Sequence, residues 1–391
     1  MDDPKRILTT HAGSLPRPNA LLGLLQAIER GAPYDRREFE AAVRRAVRDV
    51  VERQCEIGID IVDDGEESKV SFVAYVNDRL GGFESRGLLE RSSFAGSREH
   101  LQFPEFYRAA QQGPGTNAGT AIRHMVCTGP ITYVGHRQLQ ADIENLKAAL
   151  KGKDVVGAFI PSTSPANVER WQTNEYYPTQ DEYLLAIAEA MRVEYRTIVE
   201  AGFLLQIDDP SLATYYTRHP EATVDESLAW GRTRIEVLNH ALRGIPPEKI
   251  RYHTCYGINM GPRTSDLEMS HLAKLMLEIN AGAYSFEAAN PRHEHEWKLW
   301  KDVKLPEGKR LIPGVVTHTS VLVEHPELVA DRIVRFAEVV GRENVIAGAD
   351  CGFATHPSAT PEIHPTIAWA KLRSLVEGAR LASERLWKKA G

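Results

Sequence analysis

The chain of 391 residues is 42% hydrophobic and 26% charged, with a net charge of -6 and no cluster of Lys and Arg, which excludes a disordered chain and argues against nucleic-acid binding. No apolar run is long enough to span a membrane, and the charged N-terminal residues 1–6 lack the apolar core of a signal peptide, so we expect a cytoplasmic protein without a membrane partner. The four cysteines are too scattered for a disulfide framework and are expected to be free thiols or metal ligands.

Short apolar segments alternate with long amphipathic segments along the chain. The predicted strands are Ile7–Thr10, Ile59–Asp63, His124–Cys127, Val155–Ile160, Phe203–Ile207, Ile250–Cys255, Ala283–Glu287, Ile312–Val316 and Val345–Ala349. The predicted helices include Arg37–Gly58, Gln180–Gly202, Thr223–Arg243, Asp266–Ala281 and Glu327–Val340. This alternation predicts parallel strands joined by right-handed crossovers.

Nine predicted strands are one too many for a (β/α)8 barrel, and we assign Val155–Ile160 as accessory because Pro161 and the polar stretch after it do not lead directly into a helix. A doubly wound open sheet is the alternative, but no Gly-x-Gly-x-x-Gly motif follows the first strand. Polar residues follow nearly every strand, as in barrel enzymes. We therefore predict an α/β protein, a (β/α)8 TIM barrel in one domain over residues 1–391, with residues 70–120 as an insertion between the second and third predicted strands that forms a lid.

The first two strands end in turns suited to a polar ligand. His11 to Ser14 contains small residues, and the free amides of Gly13 and Ser14 could bind a carboxylate, although an ordinary turn explains the pattern equally well. Residues 63–67 carry four carboxylates, one of which could hold a substrate ammonium if this strand end faces a cavity. A solvated acidic loop is the alternative.

The third and fourth strands end differently. Residues 128–132, Thr-Gly-Pro-Ile-Thr, predict a tight turn into a helix. Asp208 shares a strand face with Gln206 and is a candidate for binding an ammonium or for acid/base catalysis. Capping of the next helix by Asp208 is equally consistent with the sequence.

A metal site is predicted at the ends of three later strands. His253 and Cys255 point to the same side of a strand, and imidazole and thiolate are the ligands that zinc prefers. Glu287 and Cys351 end two other strands and could complete the site, with Glu287 as an exchangeable ligand. The alternative is that these side chains are simply packed, as we expect for Cys55 and Cys127. A rival cluster, residues 293–296 (His-Glu-His-Glu), is interpreted as a solvated charged loop.

Together the strand ends resemble the catalytic barrel of cobalamin-independent methionine synthases, from about residue 7 to residue 355. The shared motifs are Gly13-Ser14, Gly65-Glu66, Thr128-Gly129-Pro130, Gln206-Ile207-Asp208-x-Pro210, His253-x-Cys255, Glu287 and Asp350-Cys351-Gly352, in the order of that family. The resemblance implies a zinc enzyme that transfers a methyl group to a thiol, homocysteine, to give methionine. It implies zinc ligands at His253, Cys255, Glu287 and Cys351, homocysteine contacts at Ala12, Gly13, Ser14, Glu66 and Asp208, and catalytic roles for Asp208 and His318.

The chain also departs from the family. His136 stands where the family has a Trp that stacks on the pterin, and Thr214 stands where it has a folate-binding Glu. The catalytic His of the family aligns with Thr319, next to His318, and we expect that 391 residues cannot contain the N-terminal half of the family's full-length enzymes. The methyl donor is therefore left open between 5-methyltetrahydrofolate and another carrier.

Alternative functions are an epoxyalkane:coenzyme M-type alkyltransferase, a zinc lyase or hydrolase, and a non-enzymatic thiol-binding barrel. Coenzyme M has no ammonium group, and Glu66 and Asp208 would suit it poorly. We expect small-molecule partners, a thiol and a methyl donor, and a homo-oligomer is compatible with the sequence.

Overall fold

The computed structural model describes residues 5–90, 94–110, 121–257, 260–357 and 363–387. Eight parallel strands form the main sheet: β1 (Leu8–Thr9), β2 (Ile61–Val62), β5 (Gly157–Thr163), β7 (Leu204–Asp208), β8 (Ile250–Thr254), β9 (Ala283–Phe286), β10 (Arg310–Val316) and β11 (Ile346–Ala349). They pair in the order β1-β11-β10-β9-β8-β7-β5-β2. The two outer strands also meet, because the Asp60 amide donates to the Thr9 carbonyl at 3.2 Å and the Thr10 hydroxyl donates to the Ile61 carbonyl at 2.9 Å. The result is the predicted (β/α)8 barrel.

Helices surround the barrel and connect its strands. Their bounds are α1 (Asn19–Glu29), α2 (Arg36–Ile57), α3 (Arg98–Gln102), α4 (Pro104–Ala110), α5 (His136–Leu150), α6 (Pro165–Trp171), α7 (Gln180–Glu200), α8 (Pro210–Arg218), α9 (Val224–Ala241), α10 (Met269–Met276), α11 (Pro326–Val340) and α12 (Pro365–Trp387). Short 3-10 helices lie at Ala74–Asp78, Pro247–Lys249, Glu294–Lys301 and Arg342–Asn344. In the described part of the chain, no helix has the length and apolar character needed to cross a membrane.

The assignment of the third barrel strand from the sequence is wrong. The run 155–160 overlaps β5, a barrel strand that pairs with β2 and β7. Residues 124–127 lie in β4 (Ala121–Tyr133), which pairs with β3 (Leu80–Glu90) and β6 (Thr173–Asn174) in a separate sheet. The predicted turn at 128–132 is part of β4. Ser164 caps α6 and Pro165 occupies its first turn, so the polar stretch after Pro161 is a helix start.

The helices follow from their sequence signals. In α2, Asp35 accepts hydrogen bonds from the amides of Arg37 and Glu38, and Gly58 ends the helix with φ of 92°. Val43, Val47, Val50 and their neighbours form its buried face. The main core lies between such helix faces and the outside of the barrel, and a second small cluster fills one part of the barrel: Leu8, Ile61, Phe159, Ile312 and Ile346.

The long connection between β2 and β5 contains the antiparallel pair β3–β4 and reaches the end of α8. Arg98 in α3 donates to the carbonyls of Tyr216 and His219 at 2.9 and 3.1 Å. The neighbouring Glu99 accepts from the Thr264 amide at 2.8 Å. These contacts place α3 beside the end of α8 and the loop after β8. A lid formed by residues 70–120, part of which lies outside the described residues, stays a proposal.

Candidate metal centre and active site

Two strands bring three potential metal ligands together. His253 lies in β8, Cys255 follows it, and Cys351 follows β11. Their ligand atoms all lie within 4.8 Å of one another, and the two sulfurs are 3.4 Å apart. All three residues are buried. A site of one imidazole and two thiols has the donor set and the spacing that zinc needs.

The hydrogen bonds of His253 leave one ring nitrogen for a metal. Nδ1 lies 2.8 Å from Oδ1 of Asp208, which makes Nδ1 the protonated nitrogen. Nε2 is buried and has no hydrogen-bond partner among the described residues. Burial lowers the pKa of His253, but the bond to Asp208 and the nearby Cys255 raise it to about 9. Metal binding would therefore displace a proton from this ring.

The two thiols differ in acidity. The hydrogen bond from Cys351 and the charge of His253 lower the pKa of Cys255, against the effect of burial. The same hydrogen bond and burial raise the pKa of Cys351 well above its usual value. Zinc binds cysteine as the thiolate, so metal binding would displace the protons of both thiols.

Asp208 does not cap the next helix. Asp209 has that role in α8, where its carboxylate accepts from the Ser211 amide at 3.2 Å. Oδ1 of Asp208 instead accepts from Nε2 of Gln206 at 2.8 Å in addition to its bond to His253. Asp208 thus lies next to the candidate metal centre, with Gln206 on the same side of β7.

Glu287 lies in a neighbouring cluster with His318 and Asp350, whose ligand atoms are within 4.8 Å of one another. Its Oε1 accepts from the Tyr256 amide at 2.8 Å, and its Oε2 accepts from Arg263 at 2.7 Å and from Asn290 at 2.8 Å. The carboxylate is therefore held beside the His253 group by other donors. Its role as a fourth, exchangeable ligand remains a prediction.

His318 follows β10 and is 2% exposed. Neither ring nitrogen has a hydrogen-bond partner among the described residues. Burial lowers the pKa of His318 to about 3, so the ring is neutral at physiological pH. Thr319, the aligned position, is tied by its hydroxyl to Thr317 at 2.9 Å. Of these two residues, His318 is therefore the one whose side chain is available to hydrogen-bond a substrate.

The turn after β1 packs directly on the turn after β2. Gly13 has φ of 129°, and a Cβ there would lie 2.6 Å from Oε1 of Glu66, so only glycine fits. The expectation of two free amides is wrong for Gly13, whose N–H donates to Nδ1 of His11 at 3.3 Å. The Ala12 carbonyl accepts from Gln206 at 2.6 Å. A Cβ on Gly352 would collide with Oγ of Ser14, so this turn also lies against the strand end that carries Cys351.

The acidic stretch after β2 is not a solvated loop, since Asp63, Asp64, Glu66 and Glu67 are all buried. Burial raises the pKa of Glu66 to about 7, with Asp208 contributing in the same direction and Lys69 opposing it. Glu66 packs against Gly13, and Gln206 donates both to Asp208 and to the Ala12 carbonyl, so the two carboxylates lie beside the same turn. A pair of carboxylates beside a glycine turn can hold an α-ammonium group.

The interpretation of residues 293–296 as a solvated loop is wrong for His293. This ring is buried, stacks on Tyr256 with centroids 4.1 Å apart, and lies 3.1 Å from Asp266 and 2.8 Å from Glu296. His295 is exposed, as expected. The feature of the sequence that could have indicated a buried His293 is the spacing of the apolar residues in the 3-10 helix that follows it, whose Trp300 is buried. Arg263, which holds Glu287, was also missed.

Two of the three positions that depart from the family, Thr214 and His136, make local contacts within or next to their own helices. Thr214 is buried in α8, and its hydroxyl donates to the Pro210 carbonyl at 2.7 Å. His136 begins α5 on the surface, with its ring 5.1 Å from that of Tyr133. Neither side chain is an obvious substitute for the residue that contacts a pterin in the family.

Comparisons with known proteins agree with this geometry. The family model described as cobalamin-independent synthase, catalytic domain, matches residues 7–98 and 120–380. Proteins named methionine synthase from Saccharolobus solfataricus and Sulfolobus acidocaldarius are 27% and 26% identical, over 97% and 100% of this chain and 96% of each relative. A B12-independent methionine synthase from a Shewanella species, solved with selenomethionine, superposes with a TM-score of 0.73 at 19% identity, covering 97% of this chain and 99% of that one. The chain therefore belongs to the family of cobalamin-independent synthase catalytic domains.

Proposed function

We propose that the protein is a zinc-dependent S-methyltransferase that converts homocysteine to methionine, with 5-methyltetrahydrofolate or another methyl carrier as donor. The observation that carries this proposal is the buried Nε2 of His253, which has no hydrogen-bond partner in the described part of the chain and lies beside the sulfurs of Cys255 and Cys351. The methionine synthases that resemble the chain over nearly its whole length support the reaction. A cytoplasmic location and a homo-oligomeric state stay predictions from the sequence.

His253, Cys255 and Cys351 would hold the zinc ion, with Glu287 as the exchangeable fourth ligand. When bound, zinc supplies the Lewis acidity that lowers the pKa of a substrate thiol, so that a thiolate exists at neutral pH. Asp208 contributes by keeping the proton of His253 on Nδ1, which leaves Nε2 to the metal. Arg263 and Asn290 would keep Glu287 close by while it is displaced.

Glu66 and Asp208 would bind the ammonium group of homocysteine, and the turn of Ala12, Gly13 and Ser14 would bind its carboxylate. Both carboxylates are buried, so an ammonium between them would be desolvated and strongly attracted. A sulfonate-bearing thiol such as coenzyme M would find two negative groups and no ammonium to satisfy them. The geometry therefore favours an amino-acid thiol over the alkyltransferase alternative.

The thiolate would attack the methyl carbon of the donor in line, forming the S–C bond while the bond between the methyl group and the donor breaks. The electron pair stays with the donor, which then takes up a proton. Where the leaving atom is nitrogen, as in 5-methyltetrahydrofolate, His318 would donate its ring N–H to that atom while its other ring nitrogen takes a proton from water, because neither ring nitrogen has a hydrogen-bond partner among the described residues. Its low pKa means that it relays the proton and does not store it as a cation.

The direct experiment is formation of methionine by the zinc-loaded protein, with homocysteine and either 5-methyltetrahydrofolate or methylcobalamin as donor, followed by mass spectrometry. We expect methionine with at least one donor, and loss of the product in His318→Leu with zinc retained. A zinc-loaded protein that does not bind homocysteine would disprove the proposal, whichever donor is used.

A further inference from the structure

A buried hydrogen-bond chain links helix α2 to the turn after β1. Nε2 of His11 lies 2.8 Å from Oε1 of Gln54. The amide nitrogen of Gln54 donates to the carbonyls of Val50 and Asp63 at 3.2 and 2.9 Å. Because two carbonyls face the nitrogen, the oxygen of Gln54 must be the atom that faces His11, and it can only accept. The Asp63 amide donates to the same oxygen at 3.0 Å.

This chain determines the tautomer of His11. Since Gln54 accepts, Nε2 of His11 carries the proton, and Nδ1 is left as an acceptor. The Gly13 amide donates to that atom at 3.3 Å. The charged or titratable groups that face the ring are Asp63, with Oδ1 3.6 Å from Nε2, and Arg251, which donates to the His11 carbonyl at 2.7 Å. Burial lowers the pKa of His11 to about 4, so the ring is neutral at physiological pH.

The amide of Gly13 connects the ring of His11 to the rest of the turn. Its φ of 129° brings the backbone against Glu66, and the carbonyl of the preceding Ala12 is held by Gln206. On the other side, the Phe353 amide donates to the Ser14 carbonyl at 2.9 Å. The Gly13 amide and the Ala12 carbonyl belong to one planar peptide unit, so His11 and Gln206 hold that unit from its two ends and together fix the direction in which the backbone continues to the Ser14 amide.

We propose that His11 is a positioning residue: in the tautomer fixed by Gln54 it holds the Gly13 amide and so sets the turn that binds the carboxylate of the thiol substrate. The inference rests on the proposed function for the identity of that substrate. His11 itself is 1% exposed and lies behind the turn, so its effect passes through the backbone of Gly13.

The test compares His11→Asn with His11→Leu. An asparagine side chain can accept a hydrogen bond from the amide two residues later, so the His11→Asn variant would keep the bond to Gly13, whereas the His11→Leu variant cannot. The probes are homocysteine and 3-aminopropane-1-thiol, which is homocysteine without its carboxylate, titrated calorimetrically into zinc-loaded protein. We expect His11→Leu to weaken homocysteine binding about tenfold, the order of one hydrogen bond to a charged group. Binding of the aminothiol should be unchanged, and His11→Asn should stay within about threefold of the wild type for both probes.

Two outcomes would overturn the inference: equal weakening of both thiols in His11→Leu, or the same homocysteine affinity in His11→Leu and wild-type proteins. If His11→Leu does not fold, Gln54→Glu provides the test, because a glutamate would favour the doubly protonated ring, whose Nδ1–H opposes the Gly13 N–H. The ratio of its homocysteine affinity to its aminothiol affinity should then fall between pH 8 and 6. In the wild type this ratio should stay level, because titration of Glu66 acts on the ammonium group that both probes carry, and parallel ratios would contradict the role. A wild-type protein that binds neither thiol would instead disprove the proposed function.

Discussion

Replacing Gly314 with alanine should damage the candidate metal centre without altering any of its ligands. Gly314 lies in β10, and a Cβ at this position would lie 2.7 Å from the backbone N and Cα of Asp350 and nearer still to its carboxylate. Asp350 precedes Cys351, and its Oδ1 holds the amides of Ala288 and Ala289 at 2.8 Å. The new methyl group must therefore push the strand end that carries Cys351 by roughly 1 Å, since carbon and oxygen atoms do not approach so closely.

The expected loss follows from that displacement. Metal and catalytic groups must be held within about 0.5 Å of their productive positions, and loss of supporting contacts typically costs about 10- to 100-fold in metal affinity. Overpacking should also lower the free energy of unfolding by about 1–3 kcal/mol. The assay is the zinc dissociation constant from competition with a chromophoric chelator, with thermal unfolding of the same samples.

Gly157→Ala is the matched control, because it changes the same residue type in another barrel strand. A Cβ at Gly157 would meet only Cγ2 of Ile61, at 3.9 Å, which is an ordinary contact. We expect wild-type zinc affinity in this variant. Wild-type zinc affinity in Gly314→Ala as well would refute the reasoning that the β10–β11 contact positions Cys351.

Three further changes test the site and its surroundings. Cys255→Ser should lose both zinc and methyl transfer, whereas Cys127→Ser, in the separate sheet, should keep both. Metal analysis of the purified variants tests this prediction, and a metal-free but active Cys255→Ser variant would exclude the ligand set. Because burial raises the pKa of Glu66 to about 7 and only the ionised form attracts an ammonium, kcat/KM for homocysteine should increase as pH rises through about 7. Glu66→Gln should be less active and lack this step, and a step that persists would assign it to another group. Burial also raises the pKa of Glu29 to about 7, so its contribution to stability is lost as pH rises through 7, and Glu29→Gln should gain about 1–2 kcal/mol in denaturant unfolding at pH 8 but not at pH 5.

Much of the fold could be predicted because long helices carry several agreeing signals. The predicted helix at 180–202 is α7 at Gln180–Glu200, and the one at 327–340 is α11 at Pro326–Val340. Each has a capping residue, an apolar stripe and a clear end. The error in the third barrel strand, for which β4 was assigned in place of β5, has a different origin. A short apolar run does not indicate which strand it will pair with, since that is decided by tertiary contacts.

The positions of the candidate ligands were predictable for a topological reason. The carboxyl ends of parallel strands meet at one end of a barrel, so residues after β8 and β11 must lie near one another. The groups that hold these ligands or surround them could not be predicted, because they come from irregular segments. Arg263, which binds Glu287, lies in the loop after β8, and His293 is buried against Tyr256, Asp266 and Glu296. The bond between Gly13 and His11 depends on a tautomer that a distant helix residue selects.

The central claim is that two sulfurs and one imidazole hold a zinc ion whose remaining position accepts the substrate thiol. X-ray absorption at the zinc edge, recorded with and without homocysteine, measures this directly. We expect two sulfur neighbours in the free protein, from Cys255 and Cys351, and a third when homocysteine is added. An unchanged number of sulfur neighbours in a sample that demonstrably binds homocysteine would contradict activation of the thiol by the metal.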